Sequence, residues 1–464
     1  MSDRRIHIDI TMAARIGGQA DGIIRVMREL ARYGSSRTDT DLVVLDAAAE
    51  SFHVIDASWS SDLVEGNVVV DLPHFSVDAR KRKRRSRVRQ WISHPRREAF
   101  TALERLRLTT GWIGRASERL QFHLMNKTYR KDFIEPGGGR RRFISLSEAS
   151  SRRLGFAEDD VLVLCGSDWP AMYHFLKTRD RATAGHVVVL CHDIIPILFP
   201  QYFLPETAQQ FALCFNEVFR VADLVVFTSE AVRRDALIYC KSKQLSLENT
   251  RVVPLGSIAS KFDDAPAAEL PAGLQKDRYV LFVSTMEPRK GHEMLLSVWK
   301  RLLEEPSCRE AKFNLVFVGR KGWLVDDLLA RFDKEPCVGV SLHILTNIDD
   351  RTLAQLYANA AFCVYPSIYE GFGLPIVESF RHGKAVIAST GGAIPEVVGG
   401  MSPCLDPRDE NLWFETMLAW IENPELRKPY EQAIRARRER SWSEMGKEFF
   451  SAIEDVCWSG RGQG

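Results

Sequence analysis

The sequence predicts an α/β protein of two Rossmann-like domains, each a parallel sheet covered by helices, facing one another across a central cleft. Three observations point there. Short apolar, β-branched runs alternate with amphipathic helical patterns along most of the chain. The alternation breaks over residues 258–277, a stretch with two prolines, several alanines and no periodicity, which reads as a linker. At 464 residues the chain has room for two or three domains with large cores.

In the first domain, residues 1–257, the strand candidates are 6–10, 42–45, 68–70, 161–164, 187–190 and 224–227. These read as strands buried on both faces of a parallel sheet. Residues 22–33 place Ile23, Met27, Leu30 and Ala31 on one helical face, and 206–220 and 230–239 also read as helices. An insertion at about 78–145 interrupts this domain. The second domain, 278–440, repeats the pattern with strands at 279–284, 315–318, 342–345, 362–365 and 385–388. Its helices are expected at 291–304, 324–332 and 350–360, and from Leu374 to Gly383. Residues 441–464 are expected to form a helix that packs back toward the first domain, followed by a tail.

Apolar residues at 45% and charged residues at 27% exclude wholesale disorder and a polytopic membrane protein. Nine cysteines with no Cys-x-x-Cys pair read as buried thiols in a reducing compartment, against a disulfide framework or a zinc site. The polar start is unlike a signal peptide, and no apolar run approaches the ~20 residues of a membrane span, so a cytoplasmic protein is expected. The net charge of +2 hides a strongly basic insertion, in which residues 80–142 carry 20 Lys and Arg against 5 Asp and Glu. Its densest part, Arg80 to Arg97, reads either as a solvated loop or as a surface for anionic lipid headgroups with Trp91 and Ile92 as shallow anchors. The latter would place the protein peripherally on the inner face of a membrane. A nucleic-acid role is disfavoured because no recognised binding module accompanies the charge.

Tandem domains of this kind bind ligands at the carboxyl ends of their strands. At the end of strand 279–284 stand Arg289 and Lys290, two adjacent cations before a helix, suited to a diphosphate and expected to be exposed in the cleft. Strand 362–365 runs into Glu370-Gly371-Phe372-Gly373-Leu374-Pro375, where the glycines let backbone approach a ligand and Pro375 opens a helix. Glu378 follows eight positions after Glu370, and two acceptor-only carboxylates flanking an anion site suit hydroxyl groups.

Glu370 to Glu378, with His382-Gly-Lys-Ala-Val-Ile-Ala-Ser389 and Gly391-Gly-Ala-Ile-Pro-Glu-Val397, resembles the nucleotide-sugar site of glycosyltransferase family 4, the retaining GT-B enzymes. The resemblance covers nearly all of 279–400. It implies that Glu378 holds the ribose hydroxyls and Glu370 the transferred sugar, with Arg289 and Lys290 on the diphosphate. It also implies that the turn through Gly319 to Trp323 lines the base pocket. In the first half, Cys191-His192-Asp193-Ile-Ile-Pro196 is similar to the family's His-Asp-x-x-Pro segment. That makes His192 the catalytic candidate and Asp193 an orienting partner, a core or capping histidine being the plain alternative. Gly17 to Gly22 would frame the acceptor side, or serve as a bare helix-entry loop.

The implied reaction moves a hexose, GDP-mannose being the first guess for its donor, to a saccharide or polyprenyl-linked acceptor in surface-polysaccharide assembly. The nucleotide sugar is a substrate, and no cofactor or metal is expected. The one Asp-x-Asp, Asp39-Thr-Asp41, reads as a solvated turn. The alternatives are a nucleotide-sugar epimerase or hydrolase on the same fold, and a basic membrane or nucleic-acid binding protein with a vestigial sugar site.

Overall fold

The computed structural model describes residues 4–17, 22–47, 49–72, 142–166, 168–178, 185–257 and 269–458. The basic segment 80–97 and most of the linker lie outside them. In chain order the strands are β1 (Ile6–Asp9), β2 (Thr40–Asp46), β3 (Ser51–Ile55), β4 (Val68–Asp71), β5 (Arg142–Ser145), β6 (Ser150–Arg153), β7 (Val161–Leu164) and β8 (His186–Cys191). They continue with β9 (Leu224–Phe227), β10 (Thr250–Val252), β11 (Tyr279–Val283), β12 (Asn314–Val318), β13 (Leu342–Leu345), β14 (Phe362–Tyr365), β15 (Val386–Ser389) and β16 (Cys404–Leu405).

Two large sheets result. The first has the order β10-β9-β8-β7-β1-β2-β3-β6 and the second β13-β12-β11-β14-β15-β16. The second is parallel throughout. Its central strands are almost wholly apolar and buried on both faces, as expected for a sheet covered by helices on each side. The strand order reverses between β11 and β14 in this sheet and between β1 and β7 in the other. A crevice opens outside the strand ends at such a reversal, so the loops after β11 and β14, which carry Arg289, Lys290 and Glu370, face one another.

The helix Trp442–Ile453 packs against the first unit. Its Met445, Phe449 and Phe450 join Ile8, Met27 and Leu30 in one buried cluster. Ser441 and Glu444 start it with a reciprocal capping box, and Ser257 N–H donates to the Arg440 carbonyl at 2.8 Å where the chain crosses over.

Three expectations change. The first sheet is mixed, since β3 runs antiparallel to β2 and β6 antiparallel to β3. The 68–70 run is a strand, but β4 pairs with β5 in a separate two-stranded parallel sheet, so the chain on either side of 73–141 is held side by side. Asp41 is no solvated turn. It lies on β2, accepts from Arg5 Nη2 at 2.7 Å and faces His7 Nδ1 at 3.3 Å. Burial opposes its charge, but the bonds to His7 and Arg5 outweigh burial and hold its carboxyl below the usual range.

Asp9, at the end of β1, is buried, and its Oδ1 accepts the Thr11 N–H at 2.9 Å and the Thr11 hydroxyl. Burial pushes its carboxyl up to about 6 against those hydrogen bonds. The folded chain therefore binds more protons than the unfolded chain between about pH 4 and 6, and stability falls as pH rises through that window. Asp9→Asn keeps the acceptor and removes the charge. It is expected to raise stability at pH 8 by about 2–3 kcal/mol and to flatten the pH dependence, which urea titrations at pH 4, 6 and 8 would show.

Candidate active site

After β11 the chain makes the short turn Pro288–Lys290 and enters the helix His292–Leu302. After β14 the loop 366–373 leads into the helix Leu374–Arg381. One main-chain and one side-chain bond lock the two loops together: Ile368 N–H donates to the Arg289 carbonyl at 2.8 Å, and Arg289 Nη1 donates to the Tyr369 carbonyl at 2.9 Å. This places Glu370 Oε1 2.6 Å from Lys290 Nζ and 3.0 Å from Arg289 Nη1.

Arg289 and Lys290 are not exposed, contrary to expectation; each retains only 9% of its surface. A cation is buried at tolerable cost only beside counter-charge, and three acids supply it. Glu370 bonds both cations, Glu287 Oε2 lies 3.3 Å from Arg289 Nη2, and Asp193 of the first unit acts on Arg289 through space. Burial alone would raise the Glu370 carboxyl, but Arg289 and Lys290 prevail and hold it at about 2. Burial wins at Asp193 and Glu287, whose carboxyls are both pushed up despite the nearby Arg289. Of the three acids, Glu370 is thus shifted toward its ionised form, while Asp193 and Glu287 are shifted upward by burial. The buried Nε of Arg289 has no hydrogen-bond partner.

The turn after Glu370 is driven against the first unit. A Cβ on Gly371 would lie 2.2 Å from the His192 carbonyl oxygen and 2.8 Å from Asp193 Cβ, so only glycine fits this contact. The Gly371 carbonyl accepts from Thr228 Oγ1 at 3.2 Å and Ser229 Oγ at 2.9 Å. Phe372 and Leu374 pack on the apolar cluster of the first unit. Gly373 starts the helix with φ +106°, a left-handed conformation that a side chain would strain. One turn into the helix, Glu378 accepts the Tyr357 hydroxyl on Oε2 at 2.9 Å and the Arg25 guanidinium on Oε1. Gly319 has no room for a side chain against the Ser284 carbonyl, which keeps its turn tight under β12.

On the first unit's side, His192 Nε2 lies 3.0 Å from the Cys165 carbonyl. That nitrogen must carry the proton, so Nδ1 is the acceptor in the neutral ring. Burial lowers the imidazole below its usual range, leaving it neutral at pH 7. Asp193 Oδ1 accepts the Ile195 N–H at 2.9 Å, a bond that fixes its own turn. Gly22 is exposed in the first turn of the helix Gly22–Ser35, with no atom within 4 Å of its Cβ position, three residues before Arg25.

Further contacts join the units around the site. The Glu396 carboxylate caps the helix Glu230–Ser242, accepting from Glu230 N–H at 3.0 Å and Ala231 N–H at 3.1 Å. Trp323, expected to line a base pocket, donates Nε1–H to the Tyr202 carbonyl at 2.8 Å and stacks on Phe203. Arg25, Tyr357 and Glu287 were missed in the sequence. Arg25 reads there as one polar residue on an amphipathic helix, Tyr357 as a core aromatic, and Glu287 as part of the approach to the cations. Among the described residues no group of three or more His, Cys, Asp or Glu is placed to hold a metal ion, and no helix is long and apolar enough to cross a membrane.

Residues 271–437 match the family model of glycosyl transferases group 1. The serotype-specific mannosyltransferase WbdA of Escherichia coli is 30% identical over 246 residues, which is 50% of this chain and 29% of that one. The O-antigen chain mannosyltransferase B of E. coli is 31% identical over 227 residues, 48% of this chain and 58% of that one. The chain thus spans less than two thirds of the length of these relatives. Among solved structures, Anabaena Alr3699/HepE in complex with UDP and glucose matches over 98% of this chain and 100% of that one, with TM-score 0.56 and 14% identity, a likeness of fold. Residues 271–437 are thus similar to the glycosyl transferases group 1 family, on a chain whose two units together have the GT-B fold.

Proposed function

We propose that this protein is a retaining hexosyltransferase that moves a sugar, mannose from GDP-mannose in the first instance, onto a saccharide or polyprenyl-linked saccharide during surface-polysaccharide assembly. The observation that supports it best is the buried cluster at the meeting of the two units. Arg289 and Lys290 converge on an ionised Glu370, Arg289 Nε has an unused donor, and the glycine turn bearing Glu370 abuts His192. The naming of two relatives as mannosyltransferases supports the choice of sugar.

On this reading the donor's diphosphate takes the free donor capacity of Arg289 and shares Lys290 with Glu370. The two cations then stabilise the charge that develops as the nucleoside diphosphate leaves, without need of a metal. Glu370, held ionised and oriented, accepts from hydroxyls of the transferred sugar and is not a covalent nucleophile. The departing phosphate takes the acceptor's proton on the same face, which retains the anomeric configuration. The neutral His192, its Nε2–H spent on the Cys165 carbonyl, offers Nδ1 as a hydrogen-bond acceptor toward donor or acceptor hydroxyls. Asp193 keeps the imidazole's loop in place. The basic segment 80–97 would hold the enzyme at an anionic membrane carrying a lipid-linked acceptor.

Thermal-shift screening against GDP, UDP and dTDP sugars, followed by turnover with polyprenyl-linked acceptors, tests the reading. Transfer that requires both substrates and is abolished by Glu370→Ala is expected. Product formed from donor alone would favour an epimerase or hydrolase. Function lost on charge reversal within 80–97 yet kept in Glu370→Ala would favour a binding protein.

A further inference from the structure

We propose that Arg25 is a positioning residue for the donor nucleotide: reaching across from the first unit, it orients Glu378, so that recognition of the ribose is completed only when the two units are together. The inference rests on the donor-site reading above, in which Glu378 receives the ribose hydroxyls.

Glu378 and Arg25 lie 353 positions apart in the chain, and each side chain keeps 18% of its surface. The two oxygens of the carboxylate are held from opposite sides of the cleft. Tyr357, on the same unit as Glu378, is buried, is stacked on His382 with centroids 5.5 Å apart and planes 6° from parallel, and donates its hydroxyl to Oε2 at 2.9 Å. That half of the clamp is rigid and travels with Glu378. Arg25 holds Oε1 from the helix Gly22–Ser35 of the other unit, so it is the partner that leaves when the units separate.

A carboxylate offers about four acceptor positions. Tyr357 and Arg25 use one each, which leaves one on each oxygen, the pair that a vicinal diol requires. Arg25 therefore fixes the carboxylate without occupying the lone pairs that the ribose needs. A guanidinium is also the side chain that fixes a carboxylate in direction as well as in charge.

The test is calorimetric titration of the full chain with GDP and UDP, and with the 2′,3′-dideoxy form of whichever binds more tightly. The parent protein is expected to favour the ribonucleotide over its dideoxy form by about tenfold. In Arg25→Met, ribonucleotide affinity is expected to fall about tenfold while dideoxynucleotide affinity stays within about twofold, so the discrimination collapses, and Arg25→Lys restores only part of it. Donor KM should rise by a similar factor with kcat nearly kept. Thermal melts of all three proteins check that each is folded.

Equal weakening toward both nucleotides would overturn the proposal and place Arg25 on the phosphates. Tighter binding by Arg25→Met would overturn it by showing that Arg25 competes with the ribose. An unchanged ratio in a folded variant would overturn it outright and leave the donor site standing. A parent protein that binds neither nucleotide would overturn the donor-site reading, and this inference with it.

Discussion

Replacing Arg289 and Lys290 together with alanine is expected to destabilise the fold by about 3–5 kcal/mol as well as abolish nucleotide binding, because it strips the counter-charge from a buried carboxylate. Had the pair been exposed, as the sequence suggests, the variant would stay folded and lose only its ligand. The structure requires otherwise. Both side chains are buried and both bond Glu370.

The loss should depend on pH in a stated sense. In the parent, Glu370 sits at about 2, below the ordinary glutamate value, so its contribution to stability is present above about pH 4 and is lost as pH falls toward 2. In the double variant, burial acts on Glu370 against little more than the Ser367 hydroxyl and raises its carboxyl. The fold then favours the protonated acid, and the deficit relative to the parent shrinks on acidification. Denaturant titrations at pH 5 and pH 8 would show it. Equal deficits at the two pH values would contradict the pairing, and adding Glu370→Gln to the double variant should recover part of the stability at pH 8.

Gly371→Ala is expected to lower kcat/KM by about a hundredfold or more, the scale of an ångström's misplacement of reacting groups. The added methyl would meet the His192 carbonyl at 2.2 Å, and a main-chain atom cannot move aside as the end of a side chain can. The units must separate locally, which lifts the Gly371 carbonyl from Thr228 and Ser229 and displaces Phe372 from the apolar cluster it covers. The circular dichroism spectrum should be unchanged, whereas the radius of gyration from solution scattering should increase. Normal turnover by this variant would show that the contact between turn and His192 loop plays no part in the chemistry.

The alternation of apolar runs and helical faces is legible because each buried strand states its environment locally, as in β11 and β14. Edge strands do not. β6 reads Ser-Ser-Arg-Arg, and no apolar run marks it, since an edge facing solvent needs none. The candidate site shows the same divide. Glu370, Glu378, Arg289 and Lys290 stand in short segments whose residue types are what the proposed anion-and-hydroxyl site is read from. That the cations are buried could not be read there, because part of their neutralisation comes from Asp193 of the other unit. Arg25 carries no local mark at all, for its meaning comes only from the folded neighbour that it meets.

The return of the helix Trp442–Ile453 has a consequence for how the molecule is made. Of the two cores, the one begun earlier is finished later: the groove that takes Met445, Phe449 and Phe450 stays open until the second unit has been synthesised. Maturation of these two units therefore cannot proceed strictly from front to back, and the nascent chain carries a greasy slot while the second unit is made, a surface on which chaperones act.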